Sequence, residues 1–108
     1  MSTISFEDFK KVEIALAEIK EAKEHPNADR LYVLQVDLGD EQRQLVAGIR
    51  HAYTTEELVG KKVMIVKNLE PATIRGEESK GMILAVSDDE TLSVLSPERA
   101  IKLGSVAR

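Results

Sequence analysis

The chain has 108 residues, with 15 Lys and Arg against 19 Asp and Glu, a formal net charge of −4, and neither cysteine nor tryptophan. That length fits one domain, expected over residues 1–108, and leaves no room for a separate catalytic module of ordinary size. The lack of cysteine excludes disulfides, thiolate zinc sites and thiol nucleophiles, and the acidic balance argues against a protein that coats nucleic acid by bulk electrostatics.

Ser5 followed by Phe6-Glu7-Asp8 has the chemistry of a helix start, a capping hydroxyl with acids in the first turn, and predicts a short helix to about Lys10. From Lys11 to His25 two signals compete. Ala15, Glu18, Lys20, Glu21, Ala22, Lys23 and Glu24 favour helix by propensity, whereas Val12, Ile14 and Leu16 recur at the period of a strand. The segment from His25 to Asp29 predicts a turn, because Pro26 disfavours helix at His25 and the side chains of Asn27 and Asp29 can bond their own backbone. Residues 31–38 alternate with one fully apolar face, Gly39-Asp40 supplies a turn, and residues 42–49 form the second arm of a hairpin.

A helical turn is expected at Thr55-Glu56-Glu57-Leu58, stopped by Gly60, and a strand from Lys61 to Asn68. Residues 81–86 predict another strand. It is apolar on both faces and therefore needs cover from a partner or a packed terminal segment. Leu92, Val94 and Leu95 suggest one more short strand, and Pro97-Glu98-Arg99-Ala100 a helical turn with proline at its start. Short strands joined by turn signals favour an all-β small barrel over a helical bundle. No run approaches the roughly 18 apolar residues of a membrane span, so a cytoplasmic protein with no membrane partner is expected.

Materials for catalysis are sparse. His25 and His51 are the only histidines and neither belongs to a nucleophile or metal signature. Pro26 between His25 and Asp29 opposes a helical metal pair and favours a turn-stabilising role for His25. Gly76-Glu77-Glu78-Ser79-Lys80-Gly81 has the glycine spacing of a phosphate loop, but lacks the Lys-Ser/Thr that must follow and carries two carboxylates that would repel phosphate. Neither an enzyme nor a cofactor site is expected.

Charge is nevertheless unevenly spread. Residues 61–80 carry five bases against three acids, whereas residues 1–60 carry seven against twelve, so an anion-binding face belongs in the later half. Its candidates are Lys61, Lys67, Asn68, Arg75, Ser79, Lys80 and Met82, most of them around a loop stiffened by Pro71 and released at Gly76. Cations meet phosphates, Asn and Ser can bond base edges or 2′-hydroxyls, and Met offers a deformable apolar surface. The competing reading is a solvated loop with Met82 in the core. With only Phe6, Phe9, Tyr32 and Tyr53 as aromatics, a dense base-stacking platform is excluded.

Several ordered motifs together resemble the tRNA-binding domain family over roughly residues 4–104. They are residues 4–9, His25-Pro26-Asn27-Ala28-Asp29-Arg30-Leu31, Val36-Asp37-Leu38-Gly39, Val46-Ala47-Gly48-Ile49, residues 56–61, and Asn68-Leu69-Glu70-Pro71 with Ile74-Arg75-Gly76 and Ser79-Lys80-Gly81-Met82. That family includes the domain appended to methionyl-tRNA synthetases, free-standing tRNA-binding proteins, the chaperone CsaA and EMAP II-like domains. The resemblance implies a five-stranded OB-fold barrel with short terminal helical segments, and makes residues 11–24 the first, long strand. It further implies non-catalytic recognition of tRNA by shape, a homodimer, and, for the appended-domain or β-subunit members, association with a methionyl-tRNA synthetase catalytic subunit. Asn68, Arg75, Ser79 and Met82 match the family's nucleic-acid-facing motif. Ala15 and Ala17 stand where the family commonly has Arg and Gly, Glu70 and Ala72 where many members have Lys and a basic or small residue, and Lys80 where Gln is frequent. The changes at Ala15 and Glu70 are expected to remove positive charge near the face. A CsaA-like grip on unfolded polypeptide near Met64, Met82 and Ile83 is the alternative function.

Overall fold

The computed structural model describes residues 2–108. In chain order it contains α1 (Phe6–Phe9), β1 (Ile14–Glu24), β2 (Tyr32–Asp37), β3 (Gln42–Ala47), α2 (Thr55–Leu58), β4 (Lys62–Val66), β5 (Ala72–Ile74), β6 (Glu77–Ser79), β7 (Met82–Ile83), β8 (Ala85–Ser87) and β9 (Leu92–Val94). The main sheet is antiparallel in the order β3-β2-β1-β4-β7. The Lys80 N–H donates to the Gln44 carbonyl at 2.8 Å and the Val46 N–H to Ser79 Oγ at 3.0 Å, which brings the start of β7 back against β3. The result is the nearly closed five-stranded OB barrel that the motifs imply.

Residues 14–24 are strand, so tertiary pairing overrides their helical propensity. Ala15, Ala17 and Ile19 point into the barrel, where small side chains fit, while Leu16 is buried on the other face. Ala15 is fully buried, which corrects the expectation that its substitution changes surface charge: it alters packing instead. A register shift between Ile19 and Glu21 lets one strand serve two partners, β4 along residues 14–18 and β2 along 18–24. The other edge of its first half is taken by the C-terminal segment. There Leu16 N–H donates to the Ser105 carbonyl, and Gly104 and Ala107 N–H donate to the carbonyls of Leu16 and Ile14.

Leu34, Leu45, Leu58, Val63 and Ile65 fill the interior, each contributing about 1.5–3 kcal/mol by leaving water. Leu58 is delivered by α2, which begins in a reciprocal cap between Thr54 and Glu57. Tyr32 Oη donates to the Tyr53 carbonyl at 2.7 Å, and Tyr53 Oη accepts from Val94 N–H at 3.0 Å, tying β2 to β9.

Three local expectations change. The segment after β4 is a β5–β6 hairpin and not an irregular loop, because Ile74 pairs with Glu77 across the two-residue turn Arg75-Gly76. Residues 81–86 change partners at Leu84, whose N–H donates to Met64 and whose carbonyl accepts from Leu95. Met82 and Val86 stay exposed there, so among the described residues no terminal segment provides the cover anticipated from sequence. Pro97–Ala100 forms a bend without helix. Among the described residues no helix is long and apolar enough to cross a membrane.

Candidate nucleic-acid interface

The β1–β2 turn and the β5–β6 hairpin, far apart in sequence, are locked together at one end of the barrel. His25 is buried, its Nδ1 accepts from the Asn27 N–H at 2.9 Å, and its Nε2–H donates to the Ile74 carbonyl at 2.9 Å. Asn27 Nδ2 reaches the Arg75 carbonyl at 3.5 Å. The turn-stabilising role expected of His25 is thus met, and extended to a second loop. In OB barrels these two loops, with the face of strands 2 and 3, are where oligonucleotides lie.

Arg75 occupies the tip. Its φ is 53° and that of Gly76 is 90°, the paired positive values of the mirror-image turn that two-residue hairpins favour. For an arginine such a backbone costs about 1–2 kcal/mol. The side chain is exposed, and among the described residues no carboxylate pairs with it.

The remaining candidates divide. Lys80 is exposed with Nζ 3.7 Å from Glu78 Oε1, a separation at which solvent and salt leave little net binding. Lys67 is half-buried with Nζ 3.9 Å from Glu13 Oε1. Met82 is 46% exposed on β7, which rules out the core placement. Asn68 and Ser79 have their polar atoms engaged by backbone. Asn68 Oδ1 accepts from Glu13 N–H at 2.9 Å and its Nδ2 donates to the Lys11 carbonyl at 2.6 Å, pinning the segment before β1. Ser79 is 4% exposed, accepts from Val46 N–H and donates to the Gly81 carbonyl at 3.0 Å. Lys61 stands apart from the others. It precedes β4 while Lys67 follows it, about 20 Å away at roughly 3.3 Å per residue.

The tRNA_bind family model, describing a tRNA binding domain, matches residues 14–106. The chain belongs to the tRNA-binding domain family. It is 51% identical over 108 residues to the methionine–tRNA ligase of Thermococcus kodakarensis, covering all of this chain but only 15% of that enzyme's length. Among solved structures it resembles a MetRS related protein from Pyrococcus horikoshii, with a TM-score of 0.93, 28% identity and full coverage of both chains. It also resembles the chaperone CsaA of Bacillus anthracis, with a TM-score of 0.88 and 25% identity over 99% of this chain and all of that one.

In this tRNA-binding domain the sequence reading missed several residues around the site. Lys23, at the end of β1, and Arg30, before β2, are exposed at the same barrel end as Arg75 and carry no ion pair among the described residues. Arg50 is also there, but bound to Glu24 at 2.7 Å. The signal for Arg30 was present, since it closes the very turn that an OB fold turns toward its ligand. Arg43 left no signal. From the start of β3 its Nη1 donates to the carbonyls of Lys67 and Lys80, and its Nε to Glu41 at 2.6 Å, so it braces both ends of the hairpin segment. The Arg43 guanidinium holds the Glu41 carboxyl below the usual carboxylate range. Gln44 adds bonds to Glu77 Oε1 and the Glu78 carbonyl.

Proposed function

We propose that this domain binds folded tRNA, recognising its shape through phosphate and 2′-hydroxyl contacts and performing no bond chemistry. The observation that carries the reading is the pair of loops joined by His25, which presents an exposed Arg75, without an ion pair among the described residues, at the same barrel end as Arg30 and Lys23. Lys67, Lys80 and Met82 lie toward the base of the β5–β6 hairpin, where Asn68 and Ser79 act as positioning residues. Local cations in an overall acidic chain favour one defined contact over diffuse adsorption. The domain would serve a cytoplasmic methionyl-tRNA synthetase, as an appended domain or β-subunit, or act as a free-standing tRNA-binding protein. No cofactor is required.

The test is a gel shift with whole tRNA at low and moderate salt. Arg75→Ala is expected to weaken binding roughly tenfold and to reduce the slope of log affinity against log salt by about one, as loss of a single phosphate contact does. Binding that is undiminished in Arg75→Ala and in Lys67→Ala would remove this site.

A homodimer is part of the proposal. Phe6 and Val106 are 70% and 49% exposed, and with Phe9, Val12 and Ile14 they line an apolar groove of about 410 Å³ between the two chain termini. Sedimentation with and without tRNA should give twice the chain mass in the free protein, and Phe6→Asp should return it to the monomer. A free protein that already sediments as a monomer excludes the dimer. Exposed Met82, near Met64 and Ile83, supports the second reading, in which the same barrel grips unfolded polypeptide. Suppressed aggregation of a reporter protein without any tRNA shift would favour it.

A further inference from the structure

The isolation of Lys61 from the other candidates has a structural counterpart. At the far end of β4 lies a shallow depression of about 420 Å³, whose walls include Lys61, Lys62, Ser96, Pro97 and Arg99. Every ionisable side chain lining it is a cation, in a chain whose net charge is −4. Among the described residues none of the three forms an ion pair. Glu18, opposite Lys62 in the β1–β4 register, is held by Lys20 at 3.1 Å, and Glu98 does not line the depression. The Lys61 ammonium rests 5.6 Å from the centre of the Tyr53 ring, which orders it without neutralising it.

We propose that this depression is a second seat for the ribose-phosphate backbone, working with the Arg75 loop site that His25 holds past the end of β1. The inference rests on the RNA reading above and gives it a mechanism. One cationic patch senses only charge. Lys61 is bonded to Ile19 of β1 and the loop site is tied at His25, six residues further along that strand, or about 20 Å at roughly 3.3 Å per residue. Two patches held apart in this way sense distance, and a fixed distance between backbone segments distinguishes a folded RNA from an unstructured one of equal charge. The depression is shallow and has no aromatic wall, so it suits a backbone and not an inserted base.

The experiment compares whole tRNA with an unstructured RNA of the same length, titrated against the intact chain, Lys62→Gln/Arg99→Gln and Arg75→Ala over a range of salt. The double variant is expected to lose about tenfold in tRNA affinity, to lower the salt slope by about two, and to lose most of the preference for folded over unstructured RNA. Lys62→Arg/Arg99→Lys should retain all three properties, since both positions are exposed and the charge is kept. An unchanged slope in the double variant, with Arg75→Ala still weakened, overturns the second seat alone. Failure of the intact chain to bind either RNA overturns the RNA reading and this inference with it.

Discussion

Replacing Gly104 by alanine is expected to destabilise the chain by about 3 kcal/mol, combining about 1–2 for a left-handed backbone with about 1–3 for forced displacement of packed atoms. Gly104 has a φ of +85°, and a Cβ built there would lie 2.5 Å from the Leu38 carbonyl oxygen. That oxygen belongs to backbone and cannot swing aside as the end of a side chain would. Gly104 also donates its N–H to Leu16 at 2.8 Å, so relief by moving it away strips the first half of β1 of its C-terminal neighbour. In urea the midpoint should fall by roughly 1–3 M at a typical slope of about 1–3 kcal/mol/M. Gly60 supplies the internal comparison: its φ is +91° but open space surrounds its missing side chain, so Gly60→Ala should lose only about 1–2 kcal/mol. Equal shifts at the two positions would show that the contact with Leu38 contributes nothing.

The second large effect is expected at His25. Removing its ring in His25→Ala takes the donor from the Ile74 carbonyl and the acceptor from the Asn27 N–H, and leaves a void in a buried position. The cost should be about 2–4 kcal/mol, since a buried group losing its partner costs about 1–3 and solvent can reach Asn27. The functional consequence separates this substitution from an ordinary core defect. With the tie gone the β5–β6 hairpin is no longer fixed against the β1–β2 turn, so tRNA affinity should drop about tenfold in protein that circular dichroism still finds folded. If the urea midpoint falls while RNA affinity holds, the tie is structural only and Arg75 is positioned by other contacts.

Much of this architecture was legible from residue order. Alternation over residues 31–49, the glycine at 39 and the turn chemistry at 25–29 act locally, and each produced the element anticipated. Residues 14–24 were not decidable locally, because helix propensity and strand period are both short-range signals and the outcome depends on pairing with β4 and β2. The direction of that strand was also hidden: Leu16 looks like the core side chain, yet the smaller Ala15 and Ala17 face the interior, since barrel curvature leaves little room there. At the site, residue chemistry identified Arg75 as a cation in a loop but could not reveal a two-residue turn. It equally could not reveal that Asn68 and Ser79 spend their hydrogen bonds on distant backbone, at Lys11, Glu13 and Val46. Long-range partners of polar side chains carry no periodicity, and Arg43, which bonds two carbonyls from another strand's end, is the extreme case.

The backbone at Arg75 has a bearing on how this surface can vary. Where the guanidinium stands is set by the handedness of a two-residue reversal, since among the described residues it forms no ion pair that would fix it. Lengthening the reversal by one residue would preserve the charge and its exposure yet rotate the group to a different address on the molecule. Diversification at that tip is therefore cheaper by exchanging the side chain than by changing the loop's length.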